Sequence, residues 1–131
     1  MSSTVTGPKG GLQPNTAIAG AVVARGQALK RGADQNTVIA NTAATIESVA
    51  VAADDQDTAG RSVMVYDQPG EHVLVRAGAA FALDAKLTSD ATGRSVTAAS
   101  TNKYHAIAKE AATAADQLVA AQLVPTGSIA P

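Results

Sequence analysis

Apolar and polar residues alternate in short runs along most of the chain from Thr37 onward. A period of two, in pieces bounded by turn residues, is the pattern of half-buried β-strands. The two clearest runs, residues 62–66 and 71–76, flank Pro69 and Gly70. Proline presets the first central φ of a type II turn, and glycine accepts the positive second one. The pattern therefore predicts a β-hairpin whose turn lies at this dipeptide.

The two faces of this predicted hairpin differ in character. One face is aliphatic and is expected to be buried; it carries Val63, Val65, Val73 and Val75. The other face mixes polar and apolar side chains, namely Ser62, Met64, Tyr66, His72, Leu74 and Arg76. Such a ribbon suits a sheet that contacts another subunit on its mixed side, although the same residues are also compatible with ordinary surface.

Shorter runs of the same kind predict further strands, at residues 38–40, 48–51, 86–88 and 94–97. Gly93 supplies the positive φ that the loop before the last of these needs. The segment 106–124 is ambiguous, because its alanine-rich first part has high helix propensity whereas its end has the β-branching of a last strand. We expect strand, loop and strand there. The fold class predicted is all-β with little helix, and no tandem repeat is evident.

The first fifteen residues are rich in glycine and proline, a composition that favours neither helix nor strand. We predict a flexible N-terminal arm over residues 1–26 and a β domain over residues 27–131. A chain end without any role is the alternative. Residues 17–24 form a short apolar run, but glycine interrupts it, and we assign it to the mature chain rather than to a signal peptide.

The apolar residues are mostly small. They make up 46% of the chain, but only 2% of residues are aromatic: Tyr66, Phe81 and Tyr104. Alanine and valine bury little area each, so we expect a monomer of modest stability. Oligomerisation or docking on a partner would supplement such a core.

Charge and composition exclude several classes of partner. The net charge of −1 lacks the basic excess that phosphate binding requires, and three aromatic residues provide no stacking platform, so nucleic acid is not an expected partner. No apolar run approaches the roughly 20 residues that cross a bilayer, so a membrane is not expected either. The absence of cysteine excludes thiolate chemistry and cysteine-based metal sites.

The residues that could carry chemistry do not form a catalytic motif. His72 and His105 lie far apart and outside any metal-binding spacing. Asp54, Asp55 and Asp57 lack the glycine and glutamate of a calcium loop, so a solvated loop is expected. We therefore predict no catalytic residue, no cofactor and no metal, and thus no enzyme.

A swinging-arm carrier is a further alternative. Lipoyl domains are small β domains that present a lysine on a hairpin turn, and Asp84-Ala85-Lys86 lies between two predicted strands. The lipoyl motif has the order Asp-Lys-Ala, which this chain does not match. The sequence therefore disfavours this alternative, and a lipoyl or biotinyl adduct on Lys86 would revive it.

Four segments of the second half follow one another in a distinctive order. They are a Gly-Ala-Ala segment, a hairpin, an Ala-Ile-Ala strand and a closing aliphatic strand, at residues 75–80, 87–96, 106–112 and 118–123. In this pattern of small residues, residues 28–124 resemble the small capsid decoration (cement) proteins of tailed bacteriophages. Gly78, Asp90, Gly93 and Arg94 match the fold signatures of that family.

The resemblance implies a small β-barrel-like or β-tulip domain, usually a homotrimer, on the outer surface of the virion. Proteins of this family sit at local three-fold positions of the expanded capsid and bridge neighbouring major capsid proteins. The expected partners are therefore the major capsid protein and two further copies of the chain, and the expected site of synthesis is the host cytoplasm. A trimeric spike or fibre domain, or a receptor-binding β domain, is the competing interpretation.

Two sets of residues are candidates for these contacts. The capsid contact is predicted at the end of the arm, which would order on binding and add a strand to a capsid sheet. Its candidate residues are Thr16, Ala17, Ile18, Ala21, Val22 and Val23. The trimer contact is predicted on the mixed face of the hairpin, at Met64, Tyr66 and Leu74.

Overall fold

Ten β-strands form the regular structure of the computed structural model, which describes residues 15–34 and 36–131. The strands are β1 Asn15–Ala19, β2 Ala28–Arg31, β3 Thr37–Ala40, β4 Ala50–Ala52, β5 Ser62–Tyr66, β6 His72–Arg76, β7 Lys86–Ser89, β8 Ser95–Thr97, β9 Ala106–Ala108 and β10 Leu118–Leu123. Within the described residues there is no α-helix. The all-β prediction is confirmed, and so is the choice of strand, loop and strand for the last segment.

Strands β1 to β5 close into a barrel in the order β1-β3-β2-β4-β5. Strand β1 completes the ring, because it pairs in parallel with β3 and antiparallel with β5. The barrel interior is filled by small aliphatic side chains, with one leucine at its centre. These residues are Ala19, Val23, Leu29, Val38, Ala50, Ala52, Val63 and Val65.

Strands β6 to β10 form a second five-stranded sheet in the order β6-β10-β9-β7-β8. Its two ends meet at an isolated parallel bridge between Ala77 and Ser95, where the Gly78 amide donates to the Ser95 carbonyl oxygen at 2.7 Å. The core of this half includes Val51 from β4, together with Val73, Val75, Ala77, Phe81, Leu87, Ala106, Ala108, Ala112, Val119, Ala121 and Leu123.

The two halves have the same topology. Each strand of the first half has its counterpart five strands later, so that the ring β1-β3-β2-β4-β5 corresponds to β6-β8-β7-β9-β10. The direction of each pairing also corresponds, including the parallel contact between the first and third strands of each half. The protein is therefore built from an internal repeat that the sequence does not reveal.

Hydrogen bonds in the loops that connect the strands also correspond between the two halves. The Gly26 amide donates to the Ala52 carbonyl oxygen at 2.9 Å, and the Asp84 amide donates to that of Ala108 at 2.9 Å. Both donors have a positive φ, of 85° at Gly26 and 67° at Asp84. A backbone shape that glycine adopts freely in the first half is thus kept by an aspartate in the second.

The predicted hairpin of residues 62–66 and 71–76 is wrong in its pairing, although both strands and the turn are present. The turn has Gly70 at φ 90°, and the Glu71 amide donates to the Gln68 carbonyl oxygen at 3.2 Å. However, β5 uses both of its edges inside the barrel, with β1 and β4, while β6 pairs with β10. The turn therefore leads the chain from one half to the other.

The four valines of the predicted aliphatic face are all buried, but they fill two different cores. Val63 and Val65 pack in the barrel, and Val73 and Val75 pack in the second half. The mixed face is consequently also divided between the two halves.

The predicted arm needs correction from Asn15 onward. Residues 15–19 form β1, whose edges are hydrogen-bonded to β3 and β5, and Ala19 and Val23 are buried in the barrel core. The barrel cannot close without this strand, so the fold begins well before residue 27. The earlier part of the predicted arm, residues 1–14, lies outside the described residues.

The hairpin of β7 and β8 is confirmed, with Gly93 at φ 82° in its turn. The Asp90 carboxylate organises this turn by accepting hydrogen bonds from the amides of Thr92, at 2.8 Å, and Arg94, at 2.9 Å. The Arg94 guanidinium then bridges Asp90 and Asp116, at 3.3 and 3.2 Å. The residues of the family-like motif therefore have a structural role here.

Candidate interaction surfaces

The contact between the two halves is an insertion. In the barrel, the Ile18 amide of β1 donates to the Asn36 carbonyl oxygen at 2.8 Å, which closes the first rung between β1 and β3. At the counterpart position of the second half, residues 26–28 of the barrel lie between β6 and β8. The Arg76 amide donates to the Gly26 carbonyl oxygen at 3.0 Å, and the Ala28 amide donates to that of Gly93 at 2.9 Å.

We call residues 26–28 the insertion segment and the opening between β6 and β8 the seam. One direct hydrogen bond of the barrel is replaced at the seam by two hydrogen bonds to the insertion segment. This explains why the second sheet stays open where its counterpart is closed.

Gly26 is required at the seam for two reasons. Its φ of 85° is unfavourable for residues with a side chain. In addition, a Cβ at this position would lie 2.7 Å from the Arg76 nitrogen and 2.7 Å from Leu118 Cδ2. A backbone atom cannot yield as a flexible side chain can, so the close approach of the two halves depends on the missing side chain.

Polar side chains extend the contact on either side of the seam. Gln27 donates from Nε2 to the Thr92 carbonyl oxygen at 2.8 Å. The Arg76 guanidinium donates from Nε to the Arg25 carbonyl oxygen at 3.1 Å. Farther along the contact, the hydroxyls of Ser48 and Ser89 lie 3.3 Å apart, and the Lys103 ammonium lies 3.8 Å from the Glu47 carboxylate.

A surface cleft of about 200 Å³ lies where the two halves meet. Its walls are Arg25, Ala52, Ala53, Tyr66, His72, Val73, Leu74 and Ala120. Two of the three predicted trimer-contact residues, Tyr66 and Leu74, therefore come together, one from each half. Met64 is exposed on the outside of the barrel, where its cross-strand neighbour is Thr16.

The predicted capsid-contact residues divide between the surface and the core. Ala21 and Val22 are exposed, Val22 at 66%, and Thr16, Ala17 and Ile18 are at least partly exposed on β1. Val23 is 1% exposed and packs inside the barrel, which removes it from a contact surface. Because both edges of β1 are occupied, this strand cannot add to a capsid sheet.

The interior of the second half contains a polar pair that the sequence did not indicate. His105 Nε2 lies 2.9 Å from the Ser95 hydroxyl, while His105 Nδ1 is buried with no hydrogen-bond partner. Burial disfavours the charged imidazolium and lowers the pKa of His105 to about 4. The pair is enclosed, with His105 5% exposed and Ser95 fully buried.

The buried His105 predicts a loss of stability in weak acid. The unfolded chain takes up a proton near the ordinary pKa of 6.5, whereas the folded protein does so only near pH 4, so folding is opposed increasingly as the pH falls between these values. The resulting loss of unfolding free energy reaches about 3 kcal/mol near pH 4. Urea unfolding at several pH values measures it. His105→Gln should flatten this decline, and an unchanged pH dependence in the variant would contradict the assignment.

The other candidate residues for chemistry have local structural contacts. Lys86 begins β7 with its ammonium 5.8 Å from the centroid of the Tyr104 ring. Asp55 accepts a hydrogen bond from the Arg25 amide at 2.7 Å. Across residues 15–34 and 36–131, no group of three histidine, cysteine or acidic side chains is placed to hold a metal ion. No helix in that part of the chain is long and apolar enough to span a membrane.

The fold and these surfaces define an all-β protein of two related, tightly joined halves. It is similar to the crystal structure of the head fiber gp8.5 N base of bacteriophage phi29, with a TM-score of 0.66 and 23% sequence identity. The similarity covers 84% of this chain and 92% of that chain, so the two proteins share a fold over nearly their whole length. No protein-family model and no curated protein matches the sequence.

Proposed function

We propose that the protein is a structural component of a phage virion that binds the outer surface of the mature capsid. The observation that carries this proposal is the fold shared with a phage head fiber base over 84% of the chain. The resemblance of residues 28–124 to capsid decoration proteins supports the same role. In the virion, a homotrimer bridges neighbouring major capsid proteins at local three-fold positions.

The stabilising mechanism requires no chemistry. A protein that binds the expanded shell, and not its precursor, stabilises the expanded shell by its binding free energy. Repetition at many equivalent positions of the lattice multiplies this effect, and a trimer adds multivalency at each of them. The lack of a metal cluster among the described residues is compatible with a protein that acts by binding.

The exposed residues near β1 are the proposed capsid contact. Val22 is the most exposed large apolar side chain of the described residues, and Ala21 beside it is also exposed. On β1, Thr16 is exposed and Ile18 partly exposed, whereas the partly exposed Ala17 packs against the barrel core and contributes least to such a contact. Burial of the Val22 side chain in the proposed contact would remove its apolar area from water, which is favourable.

Val22→Asp should therefore weaken capsid binding while leaving the fold intact. Placing a carboxylate in an apolar contact should lower the affinity at least tenfold. Co-sedimentation with phage heads that lack the protein measures the loss. Ile129→Asp is the matched control, because Ile129 is 59% exposed and lies near the other end of the chain. Equal binding by both variants would contradict the assignment of this surface.

A fibre or spike base is the second candidate function. The fold shared with a protein described as the N base of a phage head fiber favours it. The two candidates differ in what projects from the capsid. A decoration protein ends at its own fold, whereas a fibre base carries a further projecting structure.

A further inference from the structure

Among the residues that the structure describes, only one buried side-chain nitrogen or oxygen atom has no hydrogen-bond partner. It is Nδ1 of His105, a residue that is 5% exposed. The other ring nitrogen, Nε2, lies 2.9 Å from the Ser95 hydroxyl. The large majority of buried polar atoms in folded proteins are bonded to protein or to ordered water, because each atom left unbonded costs about 1–3 kcal/mol. Nδ1 therefore points to a ligand that the chain itself does not supply.

His105 also forms part of the wall of a small cavity between the two halves. The barrel half contributes Ser48, Val49, Ala50 and Asp67, and the second half contributes His105, Leu123, Val124 and Thr126. The cavity leaves about 10 Å³ for the centre of a water molecule. By the same measure one water requires roughly 10–15 Å³. The space therefore suits a single water.

The cavity wall offers such a water the further polar partners that it needs. A buried water makes about three hydrogen bonds. Ser48 and Thr126 carry hydroxyls, and Asp67 carries a carboxylate. The Ser48 hydroxyl accepts from Asn41 Nδ2 at 2.8 Å and lies 3.3 Å from the Ser89 hydroxyl. Because a hydroxyl has one donor and two acceptor positions, Ser48 retains one position for a water.

Polar side chains of both halves already meet beside this cavity. The hydroxyl of Ser48, from the barrel half, contacts that of Ser89 on β7. Ser89 is the cross-strand partner of Ser95 on β8, whose hydroxyl contacts the imidazole of His105. Both Ser89 and Ser95 are buried. The surroundings of the cavity therefore favour a polar occupant over an apolar one.

The internal repeat shows the same position without a polar side chain. The counterpart of His105 in the barrel is Val49, because their amides donate to the carbonyl oxygens of the counterpart residues Leu87 and Leu29, at 2.9 and 2.7 Å. A valine side chain needs no hydrogen bond, so the barrel requires no water for this residue. Valine is thus the apolar replacement that the fold itself supplies for His105.

We propose that one water molecule is a permanent part of the contact between the two halves, bound in this cavity between His105 Nδ1 and the Ser48 hydroxyl. The water supplies the hydrogen bond that the chain does not give to Nδ1. It also joins the second half to the barrel at a place away from the seam. The site belongs to the free protein, so its failure would leave the proposed function untouched.

A crystal structure of the full-length protein, at a resolution that shows ordered water, tests the site directly. We expect one ordered water within about 3.2 Å of His105 Nδ1 and within the same distance of the Ser48 hydroxyl. A hydrogen bond from Nδ1 to a protein group would overturn the proposal. So would an Nδ1 with no ordered water beside it, or a water that contacts only one of the two halves.

Magnetic relaxation dispersion of water nuclei tests the site in solution, because it counts internal waters that exchange slowly. His105→Val should lower the count by one relative to the unchanged protein. His72→Val is the matched control: His72, the other histidine, is exposed on β6, and its replacement should leave the count as it is. An unchanged count in His105→Val, or the same loss in both variants, would overturn the proposal. The crystal structure decides the matter if His105→Val does not fold.

Discussion

A chain that begins at Gln27 is expected not to fold. The deletion of residues 1–26 removes β1, which closes the barrel by pairing with β3 and β5. It also removes the buried side chains of Ala19 and Val23. Loss of one strand of a five-stranded barrel exposes two sheet edges and the core. The free energy lost in this way exceeds the usual net stability of about 5–15 kcal/mol. Circular dichroism and thermal unfolding should show no cooperative transition.

A chain that begins at Asn15 is the matched control for this deletion. It retains every strand of the described fold and should unfold cooperatively. Native-like unfolding of the shorter chain, starting at Gln27, would show that β1 is not needed and that the arm extends as far as the sequence pattern suggested.

Replacement of Gly26 by alanine is expected to cost about 3 kcal/mol. Part of this cost comes from the left-handed backbone, at about 1–2 kcal/mol. The rest comes from the new Cβ, which would lie 2.7 Å from the Arg76 nitrogen and would force the two halves apart at the seam. A chain of this length should lose about 10 °C in melting temperature.

Gly60→Ala separates the two causes. Gly60 has a nearly identical φ of 89°, but its Cβ position has no atom within 4 Å. This variant should lose only the backbone contribution, about 1–2 kcal/mol. Equal destabilisation of the two variants would show that the close approach at Gly26 carries no cost of its own.

Strands β5 to β10 could be predicted from the sequence because local signals determine them. Alternation marks β5 and β6, and Gly93 marks the turn between β7 and β8. The alanine-rich loop before β10 has a helix-like composition, but β10 satisfies its backbone by pairing with β6 and β9. Tertiary pairing therefore prevailed over helix propensity.

The pairing of the strands could not be predicted, because it depends on residues far apart in the chain. β5 and β6 look like a hairpin locally, yet each finds better partners elsewhere. The short strand β2, Ala28–Arg31, was not predicted, because four residues with two basic side chains give no alternating signal. β1 was missed since it follows a glycine-rich and proline-rich segment.

The internal repeat was also invisible in the sequence. The repeat fixes backbone conformations, and different residue types adopt the same conformation in the two halves. Gly26 and Asp84 share a positive φ, as do Gly60 and Asp116. Core positions in both halves accept any small aliphatic residue, so little sequence identity is required between the halves. Topology and hydrogen bonds reveal the repeat where residue types do not.

The repeat gives a reason for the scarcity of aromatic residues. A five-stranded ring encloses a narrow space, which alanine and valine fill and most aromatic rings would not fit. Two such spaces replace the single large core expected for a chain of this length. Phe81, the one phenylalanine, is buried at the edge of the second core, where an isolated bridge joins it to Ala112.

Electron cryomicroscopy of virions with and without this protein tests the proposed function most directly. We expect density on the outer surface of the capsid, at local three-fold positions between major capsid proteins, into which the barrel and the second sheet fit. That density should be absent from particles that lack the protein. A longer projection above the same density would favour the fibre base, whereas density in the tail or inside the head, or no difference between the particles, would contradict a role on the capsid surface.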